Sequence, residues 1–152
     1  MGKRRRSREL ALQALFYMDM SNQASEASLE RFCSNFNPPH SARPFFIKIV
    51  RGVLQHWPKI DNLIEQFSKN WRIGRMSYVD RNILRIAVFE LIYCGEIPSK
   101  VTINEAIDIA KKFGTAESGA FINGIIDSIR LAQEKGEIQL AVDDPNSQVK
   151  IE

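Results

Sequence analysis

Residues 83–92 read ILRIAVFELI, and this stretch decides the fold. Eight of the ten side chains are apolar, interrupted only by Arg85 and Glu90. A helix that is apolar nearly all round must be covered on several sides, so the segment is predicted as the axis of the core. Just upstream, Ser77 and Asp80 form an S-x-x-D start signal. The hydroxyl accepts from a free backbone N–H and the acid favours the positive helix end, which places the start at Tyr78. Gly95 is expected to end the helix in a left-handed cap, and Pro98 prevents its restart.

Outward from this axis the apolar period stays helical. Upstream, Phe46, Ile49, Val50 and Val53 form one stripe and Ile60, Leu63, Ile64 and Phe67 another, divided at His56-Trp57-Pro58. The stretch from Arg72 to Arg75 contains Gly74 and reads as a turn. Before these, NPPHSARP (37–44) has three prolines in eight residues and is predicted as a loop. Leu29, Phe32, Cys33 and Phe36 mark a short helix. The first helix starts inside the basic run and continues to about Ser21, with Ala11, Ala14, Leu15 and Met18 as its stripe, widened by Leu12 and Phe16.

Downstream, Thr102 and Glu105 of TINE are predicted as a capping box, and Gly114 as the stop of that helix. A last helix runs from about Glu117 to Gln133, with Ile122, Ile125, Ile126 and Ile129 at helical spacing. The expectation is all-α: about seven helices, no strands and no fixed repeat. Residues 1–135 form the helical domain. Residues 136–152 carry Asp143, Asp144, Pro145 and Ser147 among scattered apolar residues, and are expected to be a mobile extension.

The 152 residues are 44% hydrophobic, enough for one domain that buries roughly 70% of its unfolded surface. No stretch reaches the roughly 18 uninterrupted apolar residues of a membrane span, and Glu9, Gln13 and Asp19 rule out a secretory apolar core after the basic start. The expectation is a cytoplasmic protein with no membrane association. Cys33 and Cys94 lie far apart inside apolar periodic segments and read as reduced, buried thiols. With His40 and His56 they are too scattered to bind a metal. No GxGxxG, GxxxxGK[ST] or GxSxG pattern occurs, so neither a nucleotide cofactor nor a catalytic serine is indicated, and the chain is read as having no cofactor and no enzymatic activity.

The formal net charge is only +3, but it is unevenly placed. Lys3, Arg4, Arg5, Arg6 and Arg8 precede the first acid, Glu9. Two readings stay open on residues alone: a solvated N-terminus or a nucleic-acid contact. Arginine outnumbers lysine four to one in the run, which suits bidentate phosphate recognition, and the run feeds directly into a helix that fixes its position. A membrane-surface helix fits less well, because its apolar face lacks an interfacial Trp and Phe excess and is needed for the core.

Three stretches carry a resemblance: RRRSRELALQALFYMD (4–19), YVDRNILRIAVFELIY (78–93), and VTINEAIDIAKKFG (101–114) followed by AFINGIID (120–127). In this order and spacing they strongly resemble the NusB family of bacterial transcription antitermination factors, from about Arg4 to Arg130. The resemblance implies two packed helical bundles, no catalysis, and a complex with NusE, a small-subunit ribosomal protein. That complex would bind single-stranded boxA RNA of nascent ribosomal transcripts and help RNA polymerase, within its antitermination complex, read through terminators. It further implies that Lys3, Arg4, Arg5, Arg6 and Arg8 contact RNA, with Phe121 stacking on a base and Asn123 bonding to a base edge, as single-stranded RNA is commonly read.

Asp80, Arg81 and Glu90 are polar residues of the middle helix, where the resemblance places the protein partner. Alternatives stand beside these roles. Phe121, Ile125 and Ile129 are also an i, i+4, i+8 core row, Asn123 could bridge internally, and Arg85 could pair with Glu90. The sequence does not place Gln13, Tyr17, Lys111 and Lys112 in contact with RNA. Residues 22–44 show no detailed match, and the end of the chain is longer than the family core requires. The resemblance also implies that a homodimer covering the RNA site is possible. Competing readings are a helical protein–protein adaptor, or a non-catalytic module like the one that precedes the catalytic domain of some ribosomal RNA methyltransferases.

Overall fold

The computed structural model describes residues 2–69 and 71–138. Among these residues the chain forms α1 (Lys3–Ser21), α2 (Glu26–Phe36), α3 (Arg43–Phe67), a 3-10 turn (Ile73–Arg75), α4 (Tyr78–Tyr93), α5 (Ser99–Phe113) and α6 (Ser118–Glu134), with no strand. The all-α expectation holds. Two of the seven expected helices run together as α3, bent where His56 adopts φ −113° and ψ 19°. Pro58 explains the bend: it has no N–H for the preceding turn and its ring crowds that turn's carbonyl. The expected mobile extension lies, from residue 139 onward, outside the described residues.

As predicted, α4 is the axis, and every residue from Asn82 to Leu91 is buried. Helices α1 and α3 pack on one side of it and α5 and α6 on the other, so two bundles share one contiguous core. Each fully buried Ile, Leu, Val or Phe side chain contributes roughly 1.5–3 kcal/mol, which makes this axis the main source of stability. Gly52 lets α3 approach α4 closely, because a Cβ there would overlap the Phe89 ring. Ser77 caps α4 as expected, its Oγ accepting from the Asp80 N–H at 3.0 Å.

Two predicted boundaries are corrected. Gly95 is not left-handed: α4 ends at Tyr93, the Cys94 N–H bonds the Glu90 carbonyl at 3.1 Å, and Ile97 turns back to the Cys94 carbonyl at 3.0 Å. The second concerns TINE, which is not a capping box. Pro98 stands at the cap position with φ −58°, so α5 already begins at Ser99 and Thr102 falls inside it. The Thr102 hydroxyl is buried and donates to Glu90 Oε1 at 3.4 Å, while Glu105 binds Arg5.

Among the described residues no helix is long and apolar enough to cross a membrane, and no group of three His, Cys, Asp or Glu side chains converges as metal ligands would. Both cysteines are free thiols; burial pushes Cys94 up to about 11, while Cys33 is only half-buried.

Candidate nucleic-acid interface

The basic run is the first two turns of α1, and helical geometry spreads it around the axis, since successive residues point about 100° apart. Ser7 anchors this turn, its Oγ donating to the buried Ala42 carbonyl at 2.7 Å. Lys3, Arg4 and Arg6 are exposed. Arg4 lies over the Phe45 ring at 4.8 Å, and Arg6 has only a loose 3.9 Å approach to Glu9. Arg5 turns the other way, with Nε 2.8 Å from Glu105 and Nη2 2.7 Å from Asp108, tying α1 to α5. These hydrogen bonds, that to Glu105 foremost, raise its pKa further.

Arg8 departs most from expectation. Its side chain is 3% exposed and forms a fork with Glu90, itself 2% exposed, at 2.6, 2.9 and 3.1 Å. Both charges are matched inside the core, so Arg8 has no exposed guanidinium for RNA and Glu90 no exposed carboxylate for a protein partner. A sequence signal was available: Arg8, Ala11, Leu12 and Leu15 are spaced i, i+3, i+4, i+7, which puts this arginine on the buried stripe.

The polar residues near the start of α4 are also largely committed inward. Arg81 binds Asp19 through Nε at 2.6 Å and Nη2 at 2.7 Å, and lies over the Tyr78 ring at 4.3 Å. Arg85 pairs with Asp19 at 2.7 Å and Asp61 at 2.8 Å and sits over Trp57 at 4.0 Å, so it is not a partner of Glu90. Burial pushes the Asp19 carboxyl up, but hydrogen bonds from Arg81, Arg85 and Asn82 and the charge of Arg85 outweigh it and hold the group below the usual range. At Asp61 burial prevails over the pull of Arg85, and its carboxyl lies above that range. Asp80 is half-buried, and its Oδ1 has no hydrogen-bond partner among the described residues.

Three clefts lie among the remaining exposed cations, with Glu9 in the first and Asp80 and Glu117 in the third. The first, about 470 Å³, lies between α1 and the end of α5 and is lined by Arg6, Gln13, Phe16, Tyr17, Lys112 and Phe113. The second, about 430 Å³, is lined by Lys111, Thr115, Gly119 and Asn123. The third, about 260 Å³, holds Trp71, Arg75, Asp80, Thr115, Glu117 and Phe121. Adjacent residues Lys111 and Lys112 link the first two, and Thr115 is common to the second and third.

Local structure fixes this order. Gly114 ends α5 where a Cβ would collide with Ser118, and the Ser118 Oγ accepts from the Thr115 N–H at 2.9 Å, holding α6 against the end of α5. Tyr17 and Phe113 are each 45% exposed and Trp71 53% exposed. Asn123 is exposed and Phe121 half-buried, packed on the core with its ring 6.1 Å from that of Trp71. Lys112 reaches Glu9 at 3.1 Å; Lys3, Arg4, Lys111 and Arg75 have no ion-pair partner among the described residues.

The structure thus places Arg6, Asn123 and Phe121 each in one of three neighbouring clefts, and adds Lys111, Lys112, Phe113 and Trp71 to their linings. Sequence reasoning sees only a turn at Arg72 to Arg75, though WRIGR, an aromatic residue followed by two arginines around a glycine turn, carries a signal.

The NusB family model matches residues 5–130. The transcription antitermination protein NusB of Desulfatibacillum aliphaticivorans is 56% identical over 137 residues, covering 90% of this chain and 96% of that protein. The solved structure of T. maritima NusB is 38% identical with a TM-score of 0.77, over 89% of this chain and 97% of that one. A structure of antitermination factors NusB and NusE in complex with dsRNA matches with 27% identity and a TM-score of 0.77, over 87% of this chain and 98% of that one. These similarities cover the whole helical core, in proteins named for transcription antitermination and not for a catalysed reaction. The chain belongs to the NusB family of transcription antitermination proteins.

Proposed function

We propose that this chain binds single-stranded RNA along the three-cleft track and, together with NusE, reads boxA in nascent ribosomal transcripts, so that RNA polymerase passes terminators. The carrying observation is the continuity of exposed cations and aromatic rings from Arg6 through Lys111 and Asn123 to Phe121. Single strands are held this way, by a cationic groove with rings on which bases stack. Lys3, Arg4 and Arg6 supply phosphate contacts, Phe121 a stacking ring and Asn123 a base-edge donor and acceptor. Arg5 holds α1 against α5 and keeps these groups in place. Of Asp80, Arg81 and Glu90, Asp80 is the one left to meet NusE, at the edge of the third cleft where protein partner and RNA adjoin. Transcripts emerge in the cytoplasm, which is where this function operates.

The test is fluorescence anisotropy of boxA and scrambled RNA of equal length, with and without NusE, over a salt series. The expected result is tighter binding of boxA, strengthened by NusE, with a log–log salt slope of about −0.7 per phosphate neutralised. Equal weak binding of both RNAs, indifferent to NusE, would support a basic helical adaptor instead. Sedimentation with and without RNA separates monomer from homodimer: a dimer that covers the track dissociates as RNA binds.

A further inference from the structure

The third cleft contains a residue that the reading above does not use. Trp71 is 53% exposed, more than any other large apolar side chain among the described residues, although a buried indole would contribute far more to stability. Its backbone is nevertheless fixed. The Trp71 N–H bonds the Ser68 carbonyl at 3.2 Å, the Ser68 hydroxyl donates to the Trp71 carbonyl at 2.9 Å, and the Ile73 N–H bonds Glu65 Oε2 at 3.2 Å. The ring centroid lies 6.1 Å from that of Phe121 with the planes 65° apart, an edge-type contact that leaves about half of the side chain exposed. Arg72 follows it directly and Arg75 lines the same cleft; both are exposed and without ion-pair partners among the described residues.

We infer that Trp71 is a second base-stacking platform, receiving an unpaired RNA base in the cleft beside Phe121 while Arg72 and Arg75 neutralise the adjoining phosphates. An exposed ring held by the backbone loses little freedom when a base stacks on it, and a cleft that holds Arg75, Asp80 and Glu117 beside it suits a hydrogen-bonding nucleotide better than an apolar peptide. The inference rests on the RNA reading and lengthens its track: the strand runs from Arg6 past Asn123 and ends on Trp71, so it spans α1, the end of α5, the start of α6 and the turn before α4.

Trp71 also supplies the readout. The second tryptophan, Trp57, is buried against Arg85, so RNA-dependent change in indole emission reports on Trp71. Single-stranded boxA RNA is titrated into the full chain, following tryptophan emission and anisotropy together, and then a series of the same RNA lacking one base at a time. The expected results are quenching of tryptophan emission that one abasic position abolishes, about tenfold weaker binding by Trp71→Ala, near-native binding by Trp71→Phe, and a salt slope reduced by about 0.7 in Arg75→Ala. Circular dichroism confirms that these surface variants fold.

Unquenched emission of the unaltered chain together with native affinity of Trp71→Ala, while Arg6→Ala still weakens binding, would overturn the Trp71 platform and leave the RNA reading standing. Loss of NusE binding with RNA binding intact in Trp71→Ala would reassign the ring to the protein partner and overturn the platform too. No RNA binding by the unaltered chain, alone or with NusE, would overturn both readings.

Discussion

Arg6 and Arg8 stand two residues apart on α1, yet one faces solvent and the other lies in the core against Glu90. The inner face of the basic run, Ser7 and Arg8, bonds to Ala42 and Glu90 and joins α1 to α3 and α4. On the outer face Arg6 lines the first cleft, while Lys3 and Arg4 are exposed, Arg4 over the Phe45 ring of α3. The same guanidinium chemistry serves fold or ligand according to its position around the helix. A basic run is therefore not one site, and its two faces should respond to different measurements.

The largest effect is expected on the inner face. Arg8→Ala leaves the Glu90 carboxylate buried and alone, and should lower the unfolding free energy by roughly 3–5 kcal/mol in urea titrations. The double variant Arg8→Met with Glu90→Leu should recover most of that loss, because no lone charge remains. A cost in Arg8→Ala below about 1 kcal/mol would place the pair among solvated surface bridges and erase the contrast.

On the outer face, Arg6→Ala should leave unfolding within about 0.5 kcal/mol of the native value. It should weaken RNA binding about tenfold and lessen the salt slope by about 0.7. Destabilisation of Arg6→Ala as large as that of Arg8→Ala would remove the distinction between the faces.

A third, smaller effect separates the two half-buried aspartates around Arg85. Asp19 titrates below the usual range, so its contribution is present above the ordinary aspartate pKa and is lost as pH falls through the folded value. Asp61 titrates above it, so its contribution is full below the ordinary pKa and is lost as pH rises through the folded value. In urea unfolding between about pH 3 and 7, Asp19→Asn should flatten the acid-side loss of stability and Asp61→Asn should steepen it. Changes in the same direction in both variants would contradict this assignment.

The smallest effect belongs to Arg5, whose partners Glu105 and Asp108 lie toward the surface. Arg5→Ala should lower the Tm by no more than about 2 °C, with the difference fading in high salt.

The sequence was most legible where a single helix carries its own signal. The apolar run at 83–92, the Ser77 cap, the stop at Gly114 and the isoleucine stripe of α6 all emerge as read. It was least legible where meaning depends on a residue distant along the chain. Glu90 pairs with a residue 82 positions away and Arg85 with residues 24 and 66 positions away, and periodicity gives the face of a helix without naming what lies opposite. TINE misled for the same reason: Thr102 has a cap's chemistry, but Pro98 starts the helix earlier and Glu90 waits inside. Phe121 and Asn123 came from resemblance; their neighbour Trp71 became visible only when the turn before α4 was placed beside the start of α6.

The most direct test of the central claim, that RNA lies on the cationic track and not on the whole basic surface, is chemical-shift mapping of the 15N-labelled chain titrated with boxA RNA. The account predicts amide shifts concentrated at Arg6, Gln13, Lys111 to Thr115, Phe121, Asn123 and Trp71, with α2 and the outer face of α3 unmoved. Shifts centred on α2 and α3, or spread evenly over every exposed cation, would contradict it.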